Sequence, residues 1–455
     1  MNKNEIYDLD IIDNGPSFEG IAKLNNVVIF VPGAIVGENV KVKIIKVNKN
    51  YSIGKILEIN NKSNFRCEPF CEVYKTCGGC SSQHIEYDMQ LLLKRNTVKT
   101  LLDKQKLNYK KLNNTIGMGM PYYYRNKVQY PVRVDKNGNT KIGFYSKGSH
   151  QIVENICCYI QNRVIDILSK NVFDELVNLD FVGYDEEEGT GDIRHILIRR
   201  GYHTKEIMII IIVNRKELLN DIRFERIVKN LIEKNDNVTG IFLNLNTSKT
   251  NEILGEEIKK IYGKDYITDY IGSYKFMISP KSFFQVNTLQ AEVLYSVLKE
   301  RLELSKNEIL FDLYSGVGSI GIFLSDSVSK VYGIEIEESA VEMANMNLKE
   351  NNVENAEYIA GSVEDKIIEF KNRNIKPDVI VVDPPRKGLD EKSIEYILEF
   401  NPKKIGYVSC NPATLARDLK LLSEKYDIDE ITPVDLFPYT DHVECIALLS
   451  LKESK

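Results

Sequence analysis

The pattern of hydrophobic and polar positions divides the chain into three stretches. Residues 1–65 carry short β-branched runs, IAKLNNVVIFVPGAIVGENVKVKIIKVNKNYSIGKILEI among them, broken at Pro32-Gly33 and Gly37. Short strands with frequent turns predict a small β-barrel, with Lys41, Lys43, Lys46, Lys49 and Lys55 available for one basic face. Residues 66–280 mix strand-like runs, such as Ile207–Val213, with polar helical stretches and show no internal repeat. From residue 281 to 455 strand and helix patterns alternate regularly, as in a parallel α/β sheet. The fold class expected is therefore α/β, in three parts: a barrel, a central α+β domain and a C-terminal Rossmann-like domain.

Composition narrows the class. At roughly 100–200 residues per domain, 455 residues agree with three parts. A net charge of −5 excludes a histone-like basic protein. No apolar run approaches the ~18 residues of a membrane span, and the N-terminus lacks the apolar core of a signal peptide, so a cytoplasmic protein without membrane association is expected. Charge is nonetheless uneven. Residues 89–133 hold ten basic side chains against Asp103 alone: Lys94, Arg95, Lys99, Lys104, Lys106, Lys110, Lys111, Arg125, Lys127 and Arg133. Tyr122, Tyr123, Tyr124 and Tyr130 are interleaved. Basic and aromatic residues together suit an RNA strand, by charge and by stacking.

Eight cysteines add chemistry. Cys67, Cys71, Cys77 and Cys80 fall within fourteen residues, Cys157 and Cys158 are adjacent, and Cys410 and Cys445 stand alone. Without a secretion signal, ligation or thiol chemistry outranks disulfides. Cys71, Cys77 and Cys80 have C-x5-C-x2-C spacing, and Cys157-Cys158 offers two candidates for a fourth ligand. Four thiolates suit an iron–sulfur cluster or structural zinc. The spacing is neither that of a zinc ribbon nor the C-x3-C-x2-C of a radical enzyme.

The last stretch contains ILFDLYSGVGSIG, a strand followed by the G-x-G-x-x-G of Gly316, Gly318 and Gly321. That loop fits a dinucleotide or S-adenosylmethionine (SAM). Glu335 ends the next strand, placed for the ribose hydroxyls of either cofactor. GSVED follows the third strand. PDVIVVDPPRKG then puts Asp383-Pro384-Pro385-Arg386 at the carboxyl end of a strand, where such sheets bind ligands. KIGYVSCNPATLARD places Cys410 on the same rim as a candidate nucleophile, and DLFPYTDHVECIALLSL sets Glu444 at the start of the final strand.

SFFQVN, DLYSGVGSIG, VDPPRKG, VSCNPATLARD and FPYTDHVE together resemble the RNA uracil-C5 methyltransferase family, and C-x5-C-x2-C plus a distal Cys resembles its iron–sulfur members. The N-terminal stretch resembles their TRAM domain, an OB-like RNA-binding barrel. The combination is similar to the branch acting on 23S rRNA. The resemblance implies a 4Fe–4S cluster on Cys71, Cys77, Cys80 and Cys158, and SAM contacts at Gln285, Tyr314, Ser319, Glu335, Ser362 and Asp383. It also implies that the segment near 90–120 packs with the C-terminal domain. RNA, most of all 23S rRNA, is the partner expected, for a monomer without an obligate protein partner.

The reaction follows from residue chemistry. C5 of uracil is a poor nucleophile until a thiolate adds to C6 and generates an enolate. Cys410 takes that role, in surroundings expected to favour its thiolate. Glu444 is the base that removes the C5 proton before the thiol leaves. Asp383 and Arg386 orient the base and hold the enolate oxygen or a phosphate. The competing readings are tRNA uracil-C5 methylation, RNA cytosine-C5 methylation, a noncatalytic RNA-binding assembly factor and a nicotinamide oxidoreductase.

Overall fold

The computed structural model describes residues 1–155 and 157–453. The first stretch forms a six-stranded sheet in the order Ile6–Asp10, Asn39–Val47, Tyr51–Asn61, Val27–Val31, Gly20–Leu24 and Asp13–Asn14. Alternate residues of these strands, among them Ala22, Ile29, Val31, Val40, Val42 and Ile44, turn inward to a small core. Gly54 allows the close approach of strands this requires, since a Cβ there would lie 2.1 Å from a Val42 methyl. Gly33 and Gly37 take φ of 83° and 86° at the turns, a backbone that favours glycine.

The central stretch builds a second six-stranded sheet, in the order Glu257–Gly263, Val238–Leu245, Ile207–Val213, Ile193–Arg200, Lys127–Val134 and Thr140–Ile142. Its strand Ile207–Val213 is buried along its whole length. The cause is visible in the period-2 alternation: Ile209, Ile211 and Val213 face a core closed by helices Arg163–Asn178 and Arg223–Lys234, whereas Met208, Ile210 and Ile212 face the C-terminal part. A strand covered on both faces reads as an unbroken apolar run.

The C-terminal sheet has eight strands in the order Ala356–Ala360, Lys330–Glu335, Ile309–Leu313, Val379–Val382, Lys404–Ser409, Glu444–Leu451, Tyr426–Val434 and Tyr109–Leu112. The first five are parallel, and Glu444–Leu451 runs antiparallel to both its neighbours. The last strand comes from the basic stretch and pairs in parallel with Tyr426–Val434. The helix before it, Tyr87–Lys104, packs Val98 and Leu102 into the same core as Leu415 and Leu419.

The basic stretch is accordingly not one continuous surface. Lys94 is fully buried, its Nζ 2.5 Å from Asp435 Oδ1 and donating to the Phe437 carbonyl at 3.1 Å. Arg133 is buried against Glu186 at 2.8 Å. Tyr124 and Tyr130 are core residues as well, leaving Tyr122 and Tyr123 as the more accessible of the four tyrosines. A charge count along the chain cannot tell a solvent-facing lysine from one that spans a core to meet a carboxylate. Lys94→Ala leaves Asp435 buried without its cation and is expected to cost about 3–5 kcal/mol. Urea denaturation measures this, and a loss under ~1 kcal/mol would contradict the buried pair.

Candidate active site

The parallel strands of the C-terminal sheet all end on one rim, and the register fixes what stands beside what. Leu313 pairs with Ile334 and with Val382, so Glu335, the loop after Leu313 and Asp383 follow one another along the rim. Val382 pairs with Tyr407, and Ser409 with Cys445. In an antiparallel pair the next positions outward from Ser409 and Cys445 are Cys410 and Glu444, directly opposed and on the same face. Directly opposed residues have Cβ atoms about 4.5–5.5 Å apart. Two residues 34 positions apart are thereby placed side by side, with Asp383 at the neighbouring strand end.

The electrostatics reflect this crowding. Burial pushes the Glu444 carboxyl up to about 8, and the Asp383 charge adds to it while Arg386 opposes it. Burial alone pushes Asp383 up to about 7. Cys410 is raised to about 11 by burial, then by Glu444 and Asp383, again against Arg386. This corrects the expectation of a thiolate-favouring site. In the protein without substrate, burial outweighs the pull of the Arg386 guanidinium and the thiol keeps its proton at neutral pH.

The Asp383 shift carries a stability consequence. A carboxyl raised in the folded state contributes stability below its unfolded value, lost as pH rises through the folded one. Asp383→Asn is expected to be more stable than the parent by about 1–3 kcal/mol once pH passes 7, with the difference shrinking toward pH ~4. Denaturation curves at pH 5 and pH 8 test this, and a pH-independent difference would rule it out.

The glycine loop fits a ligand. Gly316 and Gly318 have φ of 53° and 80°, and a Cβ on Gly316 would meet nothing within 4 Å. Asp312 is buried beneath, its Oδ2 accepting from Gly321 N at 2.9 Å while its Oδ1 has no partner. The buried Ser315 hydroxyl also lacks a partner. Both are buried polar atoms whose partner the chain itself does not supply. Glu335 Oε2 accepts from Gly316 N at 2.9 Å and Oε1 from Glu337 N at 3.0 Å, so the loop and the ribose candidate are held together. Tyr314 adopts φ of 63°, unusual for a bulky residue, and shares a hydrogen bond with the Ser393 hydroxyl at 2.9 Å. Ser319 shares one with Tyr295 at 2.9 Å. Ser362 caps helix Val363–Asn372, its Oγ accepting from Asp365 N at 3.1 Å. Gln285 comes from outside the sheet, on the segment before helix Thr288–Leu302, and its carbonyl accepts from Asn126 at 3.0 Å.

Other residues position the Asp383–Arg386 turn and were not singled out from the sequence. Asn411 Nδ2 donates to the Arg386 carbonyl at 3.0 Å, and Arg417 to the carbonyls of Lys387 and Leu389 at 3.0 and 2.8 Å. The buried carboxylate of Asp418 accepts from Leu389 N at 2.8 Å and from Tyr407 at 2.7 Å. These bonds fasten the turn to the helix Pro412–Leu422 that follows Cys410. Their signal was the polar set N-x5-R-D inside VSCNPATLARD, legible only once the turn is known to lie over that helix.

Comparison with known proteins identifies the family. Residues 250–452 match the family described as tRNA (Uracil-5-)-methyltransferase, and residues 2–57 match the TRAM domain. An uncharacterized RNA methyltransferase of Clostridium tetani is 45% identical over 99% of this chain and 97% of its own. A second such protein, from Oceanobacillus iheyensis, is 42% identical over 100% of this chain and 98% of its own. The chain belongs to the RNA uracil-5-methyltransferase family. The solved structure of Pyrococcus abyssi tRNA (uracil-54, C5)-methyltransferase, in complex with S-adenosyl-L-homocysteine, is 28% identical. It superposes with a TM-score of 0.77 over 97% of this chain and 100% of that one. The protein is thus a SAM-dependent RNA methyltransferase with an N-terminal TRAM domain.

A second constellation of this methyltransferase lies apart from the rim. Cys71, Cys77, Cys80 and Cys158 line one cavity of about 80 Å³, together with Gly79 and Arg125. Cys157 is exposed and Cys67 lies elsewhere, its thiol donating to the Gln83 carbonyl at 3.3 Å. Burial raises Cys80 to about 11 and Cys158 to about 12, so a cation is needed to hold either as thiolate. Asp166, which the sequence did not flag, accepts from Cys158 N at 2.8 Å and from Tyr130 at 2.9 Å. Among the described residues no three His, Cys, Asp or Glu side chains converge closely enough to hold a single metal ion.

Proposed function

We propose that this methyltransferase acts on C5 of a uridine in 23S rRNA, through a covalent bond between Cys410 and C6 of the base. The observation that supports the C5 chemistry is the opposition of Cys410 and Glu444 across paired strands, with Asp383 beside them; the substrate follows the resemblance of the TRAM domain and cysteine set to the 23S rRNA branch. SAM bound over the glycine loop supplies an electrophilic methyl group. The chain's residues do the rest. The uridine leaves its stack to enter the rim. Cys410 loses its proton to water, and its sulfur adds to C6. After C5 is methylated, the Glu444 carboxylate takes the C5 proton and the sulfur is expelled. Arg386, which pulls Cys410 and Glu444 toward their charged forms, offsets the charge that builds up.

The four-thiol cavity is read as the seat of a 4Fe–4S cluster on Cys71, Cys77, Cys80 and Cys158. Four thiols around one cavity, with a spacing unlike a zinc ribbon, support a cluster over zinc. Iron and sulfide assays on anaerobically purified protein test it, and zinc without sulfide would refute it. Reduced thiols of this kind suit a cytoplasmic protein, and a monomer suffices because Cys410, Glu444 and the glycine loop all come from one chain.

A second reading, a tRNA uridine, is favoured by the Pyrococcus abyssi tRNA (uracil-54, C5)-methyltransferase, which aligns over nearly the whole chain. Incubation with SAM and C5-tritiated uridine transcripts separates them. Tritium release from 23S rRNA fragments alone supports the first reading, release from tRNA alone supports the second, and release from neither defeats both.

A further inference from the structure

Glu444 stands at the end of a ladder. Strands Tyr426–Val434 and Glu444–Leu451 form a hairpin whose outermost pair is Val434 with Glu444. Pairing with the other neighbour, Lys404–Ser409, stops one residue earlier, at Ser409 and Cys445. Residues 435–443 close the hairpin. No rung lies beyond Glu444, so its place on the rim depends on the loop that leads into it.

That loop is fastened from two sides. The C-terminal part holds its start, where Gln290 donates to the Asp435 carbonyl and Asn287 to the Leu436 carbonyl, both at 3.0 Å. The cysteine segment holds its middle. The backbone N–H groups of Ser81 and Ser82, which follow Cys80, both donate to the Tyr439 carbonyl, at 3.0 and 3.2 Å. The Tyr439 N–H donates in turn to Oε1 of the buried Gln90 at 3.2 Å. The Tyr124 hydroxyl donates to the Pro438 carbonyl at 3.0 Å. The Tyr439 ring is 5% exposed and lies edge-on to Phe70, 4.8 Å between centroids. Cys80 and Cys158, which line the four-thiol cavity, pack against the same small core.

Tyr439 has a φ of 65°. Left-handed backbone is unfavourable for a bulky side chain and lasts only where the surroundings over-determine it. Here the surroundings are main-chain bonds and aromatic packing supplied by residues distant in the chain. The conformation is thus imposed on the loop from outside its own strand pair, shortly before the base. A reacting group misplaced by about 1 Å can cost about 10²-fold in rate.

We propose that Tyr439 is a positioning residue for proton removal from C5: the cysteine segment grips it and thereby holds Glu444 at the rim. The inference rests on the reading of Glu444 as the base. It gives the cysteine segment a part in the reaction, exerted through the loop.

The test compares the full-length parent with Tyr439→Ala, Tyr439→Phe and Tyr124→Phe, on whichever transcript, 23S rRNA fragment or tRNA, the parent methylates. Tyr439→Ala is expected to lower turnover by about 10²-fold and to accumulate a methylated, covalently bound RNA, while binding S-adenosyl-L-homocysteine as the parent does. Tyr439→Phe keeps the ring and the main-chain bonds and is expected to restore turnover. Tyr124→Phe loses only the bond to Pro438 and fills the same space, so it keeps the test open should Tyr439→Ala fail to fold; about a fivefold loss is expected, again with adduct. Hydrogen exchange supplies a readout independent of activity. Residues 437–443 should exchange faster in Tyr439→Ala and Tyr124→Phe, with strand Lys404–Ser409 protected as in the parent. Parent-like exchange and turnover in both variants overturns the proposal. So does a loss of turnover without adduct, which would place the defect before proton removal. Release of product by Glu444→Gln at the parent's rate defeats the base reading instead, and the exchange comparison still decides whether the cysteine segment holds the loop.

Discussion

Cys410→Ala is expected to lower methyl transfer by about 10³-fold or more and to abolish any covalent protein–RNA species. The reason is chemical rather than structural. Without a sulfur at C6, C5 of the pyrimidine has too little electron density to attack a methyl group. The substitution leaves the glycine loop untouched, and Gly316, Asp312 and Glu335 keep their bonds, so S-adenosyl-L-homocysteine binding should match the parent. Tritium release from C5-labelled RNA and a denaturing gel for the adduct measure the two effects. Turnover within tenfold of the parent would remove Cys410 from the reaction. Because the thiol of the resting protein is raised to about 11, the parent's reaction with small thiol reagents should be slow at pH 7 and quicken in alkali.

Glu444→Gln should produce the opposite signature on the gel. Addition to C6 and methylation of C5 do not need a base at residue 444, whereas loss of the C5 proton does. The variant is therefore expected to accumulate a methylated, covalently bound RNA while turnover falls by about 10²–10⁴-fold. In the parent, the base must be ionised, and its carboxyl is raised to about 8 by burial and the Asp383 charge. The rate should accordingly rise with pH through the range 7–8, and Asp383→Asn, which removes the neighbouring charge, should move that rise to lower pH. Stopped-time adduct assays and pH–rate profiles provide the measurement. Release of product by Glu444→Gln at the parent's rate would reassign the base.

Much of this was readable in the chain because the responsible patterns are local. The short apolar runs at Ile309–Leu313 and Lys330–Glu335 indicate strands, Gly316 and Gly318 allow the left-handed turns of a ligand loop, and a Cys or Asp at the end of an apolar run stands on the rim of a parallel sheet. Other features were not readable. Lys94 and Arg133 look like members of a basic surface until the fold buries them against Asp435 and Glu186. Tyr124 and Tyr130 look like stacking residues until the core closes over them. Lys127 and Arg199 are 72 residues apart, and only strand pairing shows that they stand side by side.

The sequence by itself determined the three-part organisation, the glycine loop, the identity of Cys410 and Glu444 as candidates, and the membership of the cysteines in a ligand-like set. All depend on residue type and short-range spacing. Tertiary structure alone decided which groups meet and in what charge state. The antiparallel return of Glu444–Leu451 beside Lys404–Ser409 brings the base to the nucleophile. Burial at that rim raises both carboxyls and the thiol together, and burial is a property of the whole fold that no local spacing encodes.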